Sequence, residues 1–150
     1  MRLQAAAILL ACSAASFAQD KPSLRVVVEG EGLECGIKRG TIESTTTRAL
    51  TSHGIQVSSN AKDPYLYVNV NAYRVMQGST AVGCTTRLGV SVRATSDPEP
   101  QVRGFKSRSA TYVVLCEAGR LLSGSQREVP AAVTKALEED IKNCLAQVSY

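Results

Sequence analysis

Histidine occurs once in the 150 residues, as His53. Any nucleophile–base pair or metal site that needs an imidazole has only this group to draw on, and a lone histidine beside oxidised cysteines builds no metal centre. No calcium-loop spacing occurs among the carboxylates, and no internal repeat or low-complexity tract interrupts the chain. Beyond the first eighteen residues no run is apolar enough to cross a bilayer. One stretch imitates a dinucleotide fingerprint, because a strand runs into Gly30, Gly32 and Gly36. Cys35 stands where the third glycine of G-x-G-x-x-G should be, and Glu29, Glu31 and Glu34 would repel a pyrophosphate. No cofactor is expected, and nucleic acid is not expected as a partner.

What is present begins with an export signal. Met1–Ala18 carries one positive residue (Arg2), an apolar run from Ala5 to Ala15, and small residues Ser16 and Ala18 around Phe17. This is the pattern of a secretory signal peptide cleaved after Ala18. A competing reading takes Leu9-Leu10-Ala11-Cys12 as a lipobox, which would leave a lipidated Cys12; Leu10 fits that pattern poorly. A polar lead (residues 19–23) and a single α+β domain (residues 24–148) follow. Both readings place the mature protein in the periplasm or outside the cell. Four cysteines then remain, Cys35, Cys84, Cys116 and Cys144, and an even number in a small exported domain reads as two disulfides. Without Arg2 the chain has 16 basic and 13 acidic residues, a net charge of +3. The excess lies between Ala81 and Glu128, where a mildly basic surface could meet an anionic envelope component or an acidic partner.

The clearest element is Pro64–Met76. Leu66, Val68, Val70 and Ala72 alternate with Tyr65, Tyr67, Asn69, Asn71 and Tyr73, and a period of two puts the sets on opposite faces of a sheet. Before it come a Val-rich strand (Leu24–Glu29), a helix over Ile37–Ser52 with Gly54 closing its C-terminus, and a short edge strand (Ile55–Ser58). After it, Gly78-Ser79-Thr80 turns the chain into a strand over Val82–Thr95. A hairpin centred on Ser79 sets Leu66 opposite Val92, Val68 opposite Val90, Val70 opposite Leu88, Tyr65 opposite Arg93 and Asn71 opposite Arg87. Ser96–Pro100 turns into a strand expected from about Phe105 to Glu117, with Gly119–Gln126 as loop and Leu121-Leu122 as the place where the strand could extend. The closing helix, Glu128–Gln147, has Pro130 in its first turn. Its apolar stripe is Val133, Ala136, Leu137, Ile141, Cys144, Leu145 and Val148, and the Glu138-Glu139-Asp140 run is expected to be solvated.

The order β-α-β-β-β-β-α implies a two-layer α+β sandwich, with two helices on one face of a mostly antiparallel five-stranded sheet of order 2-1-3-4-5. Centring the second hairpin on Pro100 brings Cys84 opposite Cys116. With the closing helix climbing towards the end where the first strand finishes, Cys144 reaches Cys35. The expected bridges are therefore Cys35–Cys144 and Cys84–Cys116.

The segments LRVVVEG, the helix ending in HGIQV, DPYLYVNVNAY and the amphipathic closing helix span most of residues 24–148. In element order they resemble small exported proteobacterial envelope proteins and accessory domains. Examples are the N-terminal domain of the Tol-system translocation protein and the outer-membrane lipoproteins that activate peptidoglycan synthases. Two disulfides depart from the simplest members. The resemblance implies a non-enzymatic binding role in the envelope. The candidate binding surface is the outward sheet face, Tyr65, Tyr67, Asn69, Asn71, Tyr73, Arg87 and Arg93, where aromatics beside arginines can anchor a partner. That partner is expected to be another protein or an anionic envelope component. A small secreted hydrolase inhibitor and a structural or stress-related envelope protein without a discrete site are the alternatives.

Overall fold

The computed structural model describes residues 22–30, 35–60, 64–95 and 112–148. The expected signal peptide with Cys12, the expected Ser96–Pro100 turn and the expected start of the fifth strand lie outside these residues. The elements are β1 (Ser23–Glu29), α1 (Arg39–Ser52), β2 (Gln56–Val57), β3 (Tyr65–Gln77), β4 (Thr80–Thr95), β5 (Tyr112–Gly124) and α2 (Val129–Gln147). They form one five-stranded sheet in the order β2-β1-β3-β4-β5. Helix α1 packs on β1 and β2, α2 packs on β4 and β5, and the two helices touch each other.

Local chemistry explains the helices. The Thr45-Thr46-Thr47 run in α1 is tolerated because its hydroxyls bond back into the helix. Thr46 Oγ1 donates to the Ile42 carbonyl at 2.8 Å and Thr47 Oγ1 to that of Glu43 at 2.9 Å. The helix closes on Gly54, whose φ is +76°. The Gly54 N–H meets the Thr51 carbonyl at 3.0 Å and the Ile55 N–H meets that of Leu50 at 3.1 Å, the paired bonds of a Schellman stop. At the start of α2, Ser125 and Glu128 cap each other. The Ser125 Oγ donates to Glu128 Oε2 at 2.8 Å, and the Glu128 N–H donates to Ser125 Oγ at 3.3 Å.

The core lies between the helices and the inner side of the sheet. Leu66, Val68, Val70 and Ala72 of β3 meet Leu88, Val90 and Val92 of β4 and the α2 stripe, all buried. The expected β3–β4 register holds from Tyr65↔Arg93 to Val75↔Gly83, and a bulge follows before Met76.

Three expectations fail, and an inversion of direction explains the first. Strand β2 is only two residues long and pairs with the beginning of β1, at Ser23↔Gln56 and Leu24↔Val57. The chain therefore stays at that end, and β3 starts there too, running parallel to β1 from Arg25↔Tyr65 to Glu29↔Asn69. Every later element is reversed against the expected direction. Strand β4 now starts at the end where β1 finishes, so Cys84 meets Cys35; α2 descends, so Cys144 meets Cys116. The disulfides are Cys35–Cys84 and Cys116–Cys144, in place of Cys35–Cys144 and Cys84–Cys116.

The β4–β5 register is the second correction. Cys84 lies opposite Gly124, and Cys116 lies opposite Val92. Strand β5 thus occupies Tyr112–Gly124, including most of what was expected to be loop. From Cys84 to Val92 the slip is an even number of residues, so those side chains keep their face and alternation alone could not detect it, whereas the bulge between Val92 and Arg93 turns Val114 and Tyr112 to the outer side.

A third correction concerns Asp140. It is 2% exposed, because the inward-pointing Arg120 of β5 meets it. Arg120 Nε donates to Asp140 Oδ1 at 3.0 Å and Nη1 to Glu139 Oε2 at 3.0 Å. The hydrogen bond with Asp140 raises the guanidinium's pKa further above its ordinary value.

Candidate functional site

No described helix covers the outer side of the sheet, and the candidate residues stand there. The registers define its rows. Arg25, Tyr65, Arg93 and Val114 lie across one row. Val27, Tyr67, Ser91 and Glu117 form the next, then Glu29, Asn69, Gly89 and Gly119, then Asn71, Arg87 and Leu121.

Tyr67 and Arg93 are the hub. The Tyr67 hydroxyl donates to Glu29 Oε2 at 2.6 Å, an approach that exists only because β1 and β3 run side by side in parallel. Asn69 Nδ2 donates to the Tyr67 oxygen at 3.4 Å, and Asn71 Nδ2 donates to Asn69 Oδ1. The Glu29 carboxylate, accepting the phenol's proton, raises the Tyr67 pKa, burial adds to the rise, and Asn69 and Arg93 oppose it. The Arg93 guanidinium carbon lies 3.7 Å from the centre of the Tyr67 ring and 4.7 Å from that of Tyr112. The two rings come from the strands on either side of β4, so they close on the cation from both flanks. Arg93 Nε donates to Ser91 Oγ at 2.9 Å, and Ser91 is only 3% exposed beneath this cluster.

Beside the hub the sheet surface drops. Gly89 and Gly119 are paired across β4 and β5, and without side chains they floor an open depression of about 540 Å³ lined also by Arg87, Glu117 and Leu121. The two glycines differ in kind. A Cβ on Gly119 would lie 2.7 Å from the Leu88 carbonyl oxygen, whereas a Cβ on Gly89 meets nothing within 4 Å. Packing therefore requires one glycine, and the other simply leaves the floor open.

The structure brings together Tyr65, Tyr67, Asn69, Asn71, Arg87 and Arg93. The expected pairs Tyr65–Arg93 and Asn71–Arg87 are opposite one another. The stacking runs diagonally, however: Arg93 lies on Tyr67, and Tyr65 takes Arg25, whose guanidinium carbon is 5.3 Å from its ring centre. Tyr73 stands apart, 59% exposed, in the row Tyr73, Thr85 and Ser123 near the end of β5. Sequence reasoning missed Arg25, Glu29, Ser91, Gly89, Gly119 and Tyr112. A signal existed for Ser91 and Gly89, which follow Arg87 at steps of two on the same face. Tyr112 and Glu29 enter only through the β4–β5 register and the parallel β1–β3 pairing.

His53 lies elsewhere, in a polar groove between α1 and α2 lined also by Arg48, Ser52, Glu138, Glu139 and Lys142. Arg48 and Glu138 form an ion pair across it. Among the described residues no three His, Cys, Asp or Glu side chains gather as a metal site, and no helix is long and apolar enough to cross a membrane.

No protein-family model matches the chain, and no curated protein does. Among solved structures, a minor lipoprotein from Acinetobacter baumannii is similar with 14% identity over 85% of this chain and 91% of that one, at a TM-score of 0.40. A structure described as a neuraminyllactose-binding hemagglutinin homolog from Helicobacter pylori is 11% identical over 87% of each chain, at a TM-score of 0.35.

Proposed function

We propose that this protein is an exported, non-catalytic binding module of the cell envelope, and that its partner sits on the outer sheet face. The observation that carries the reading is the arrangement of that face. No described helix covers it, its polar side chains are held by one another, and a depression opens beside an aromatic–arginine cluster. Rigid aromatics and arginines lose little freedom on binding, which makes such a cluster a good anchor. Two disulfides joining buried cysteines support an oxidising compartment. The groups on the face suit recognition, since the Tyr67 hydroxyl is committed to Glu29. The partner on this reading is another protein or an anionic envelope component.

Photo-crosslinking in the native host tests the proposal. A crosslinker at Asn71 or Leu121 should yield a discrete adduct, and one at Lys135 on the outer side of α2 should not. Tyr67→Ala and Arg87→Ala should abolish the sheet-face adduct while leaving the fold intact by circular dichroism. Adducts that ignore both substitutions overturn the assignment. Intact mass of the mature protein separates cleavage after Ala18 from lipidation at Cys12.

A further inference from the structure

On the reading that the outer face is the binding surface, we propose that Arg93 is its anion-recognising residue and that the ligand presents a carboxylate to it. The body of the ligand lies towards the Gly89–Gly119 floor. A guanidinium has five N–H donors, and one of Arg93's, on Nε, is used on Ser91. The ion pairs among the described residues are Arg39–Glu43, Arg48–Glu138, Arg120–Glu139 and Arg120–Asp140, so Arg93 meets no carboxylate there. The nearest acidic groups are otherwise placed: Glu29 accepts from Tyr67, and Glu117 stands beside Ser91 without pairing to Arg93. The cation is thus held in position by two rings and a hydroxyl, and among the described residues no carboxylate takes its other N–H groups. That is the pre-organised fork that binds a carboxylate bidentately.

The rings also select the shape of the anion. Flanked at 3.7 and 4.7 Å, the guanidinium edge admits an acceptor lying in its own plane. A planar carboxylate does so, whereas a tetrahedral phosphate carries oxygens out of that plane towards Tyr67 and Tyr112. Charge points the same way, because Arg25, Arg87 and Arg93 share the face with Glu29 and Glu117, a balance suited to a monoanion. Along β4, Ser91 and Gly89 follow Arg93 at about 3.4 Å per residue. The floor therefore begins within reach of a small ligand's body, and its volume of about 540 Å³ is within the ordinary range for small-molecule sites.

The test is a side-chain NMR titration of the mature, oxidised chain, following the Arg93 Nε–Hε signal and the Gly89 and Gly119 amides. The probes are acetate, N-acetylglycylglycine and inorganic phosphate. Saturable shifts of Arg93 are expected with both carboxylates, tighter than with phosphate. The glycine amides should respond to N-acetylglycylglycine alone. Arg93→Lys keeps the charge but loses the fork, and should weaken binding about tenfold, the worth of one charge-assisted hydrogen bond. Gly89→Leu should weaken N-acetylglycylglycine while sparing acetate. Melting curves confirm that both variants are folded. Absence of a saturable shift, phosphate binding as tightly as carboxylate, or an Arg93→Lys variant that binds unchanged would each overturn the proposal. If the sheet-face crosslink to the native partner survives while the carboxylates are silent, this inference fails and the wider reading of the face stands.

Discussion

On the inner side of β3, Leu66, Val68, Val70 and Ala72 are at most 4% exposed; on the outer side of the same strand, Tyr65, Tyr67, Asn69 and Asn71 are only half-buried. The inner residues are held by volume, with each methyl group filling space that water cannot enter. The outer ones are held by direction, through a hydroxyl on a carboxylate, an amide on a hydroxyl and a guanidinium between two rings. Both disulfides belong to the inner layer. The comparison teaches that close packing and directed polar contacts occupy opposite faces of one strand, so each can be damaged with little loss to the other.

The largest expected effect is on the inner side. Replacing Cys35 and Cys84 together by alanine opens a loop of 49-residue separation, and in the chain-entropy model this costs about 4 kcal/mol. Urea unfolding measures the loss, and non-reducing peptide mapping of the parent should recover Cys35–Cys84 and Cys116–Cys144. Recovery of Cys84–Cys116 would contradict the parallel placement of β3.

Next in size is the direct contrast between neighbours in β3. Leu66→Ala empties a fully buried site and should cost about 3 kcal/mol. Tyr67→Phe removes one hydrogen bond to Glu29 and should cost about 1 kcal/mol. The raised Tyr67 pKa adds a sign. Its contribution is complete below the ordinary tyrosine range and is lost as pH rises through the higher folded-state value. Absorbance titration should show one phenolate forming later than the rest, and Tyr67→Phe should remove that late step.

How much of this contrast was legible beforehand depends on the kind of pattern. Alternation exposes a strand's two faces, and Gly78 in a tight turn pins one register, so Leu66–Val92 and Asn71–Arg87 could be read directly. Alternation does not encode strand direction. The reversal of β3 hinges on β2 being two residues long, and an Ile-Gln-Val stretch reads equally well as a longer edge strand. Nor does alternation encode an even slip or the place of a bulge, so the β4–β5 ladder and, past the bulge after Val92, Tyr112's place beside Arg93 stayed hidden. Asp140 escaped for a related reason. It falls among glutamates on a helix, and only the inward turn of Arg120 makes it a core residue.

A smaller effect separates the two floor glycines. Gly119→Ala places its Cβ 2.7 Å from a backbone oxygen and should cost about 2 kcal/mol, as overpacking does. Gly89→Ala enters open space and should change stability by less than about 0.5 kcal/mol. Thermal melts of the pair decide it. Equal losses would mean that the floor is a packing requirement throughout, and not an opening on the binding side.

The smallest effect lies outside both faces and serves as their control. The Ser125 hydroxyl and backbone N–H hold the Glu128 pKa below its ordinary value. A carboxylate depressed in the folded state adds stability that is present above the ordinary glutamate range and is lost as pH falls through the lower folded value. Glu128→Gln should therefore lower the neutral-pH melting temperature slightly, leave the value at the acid end nearly unchanged, and so flatten part of the acid limb. Arg93→Lys, on the outer face, should leave that limb untouched. Because Glu128 caps the helix that carries the inner stripe, an acid limb that moved with Arg93 instead would show that the two faces are coupled through the sheet, and that the polar cluster on one side is not free of the packing on the other.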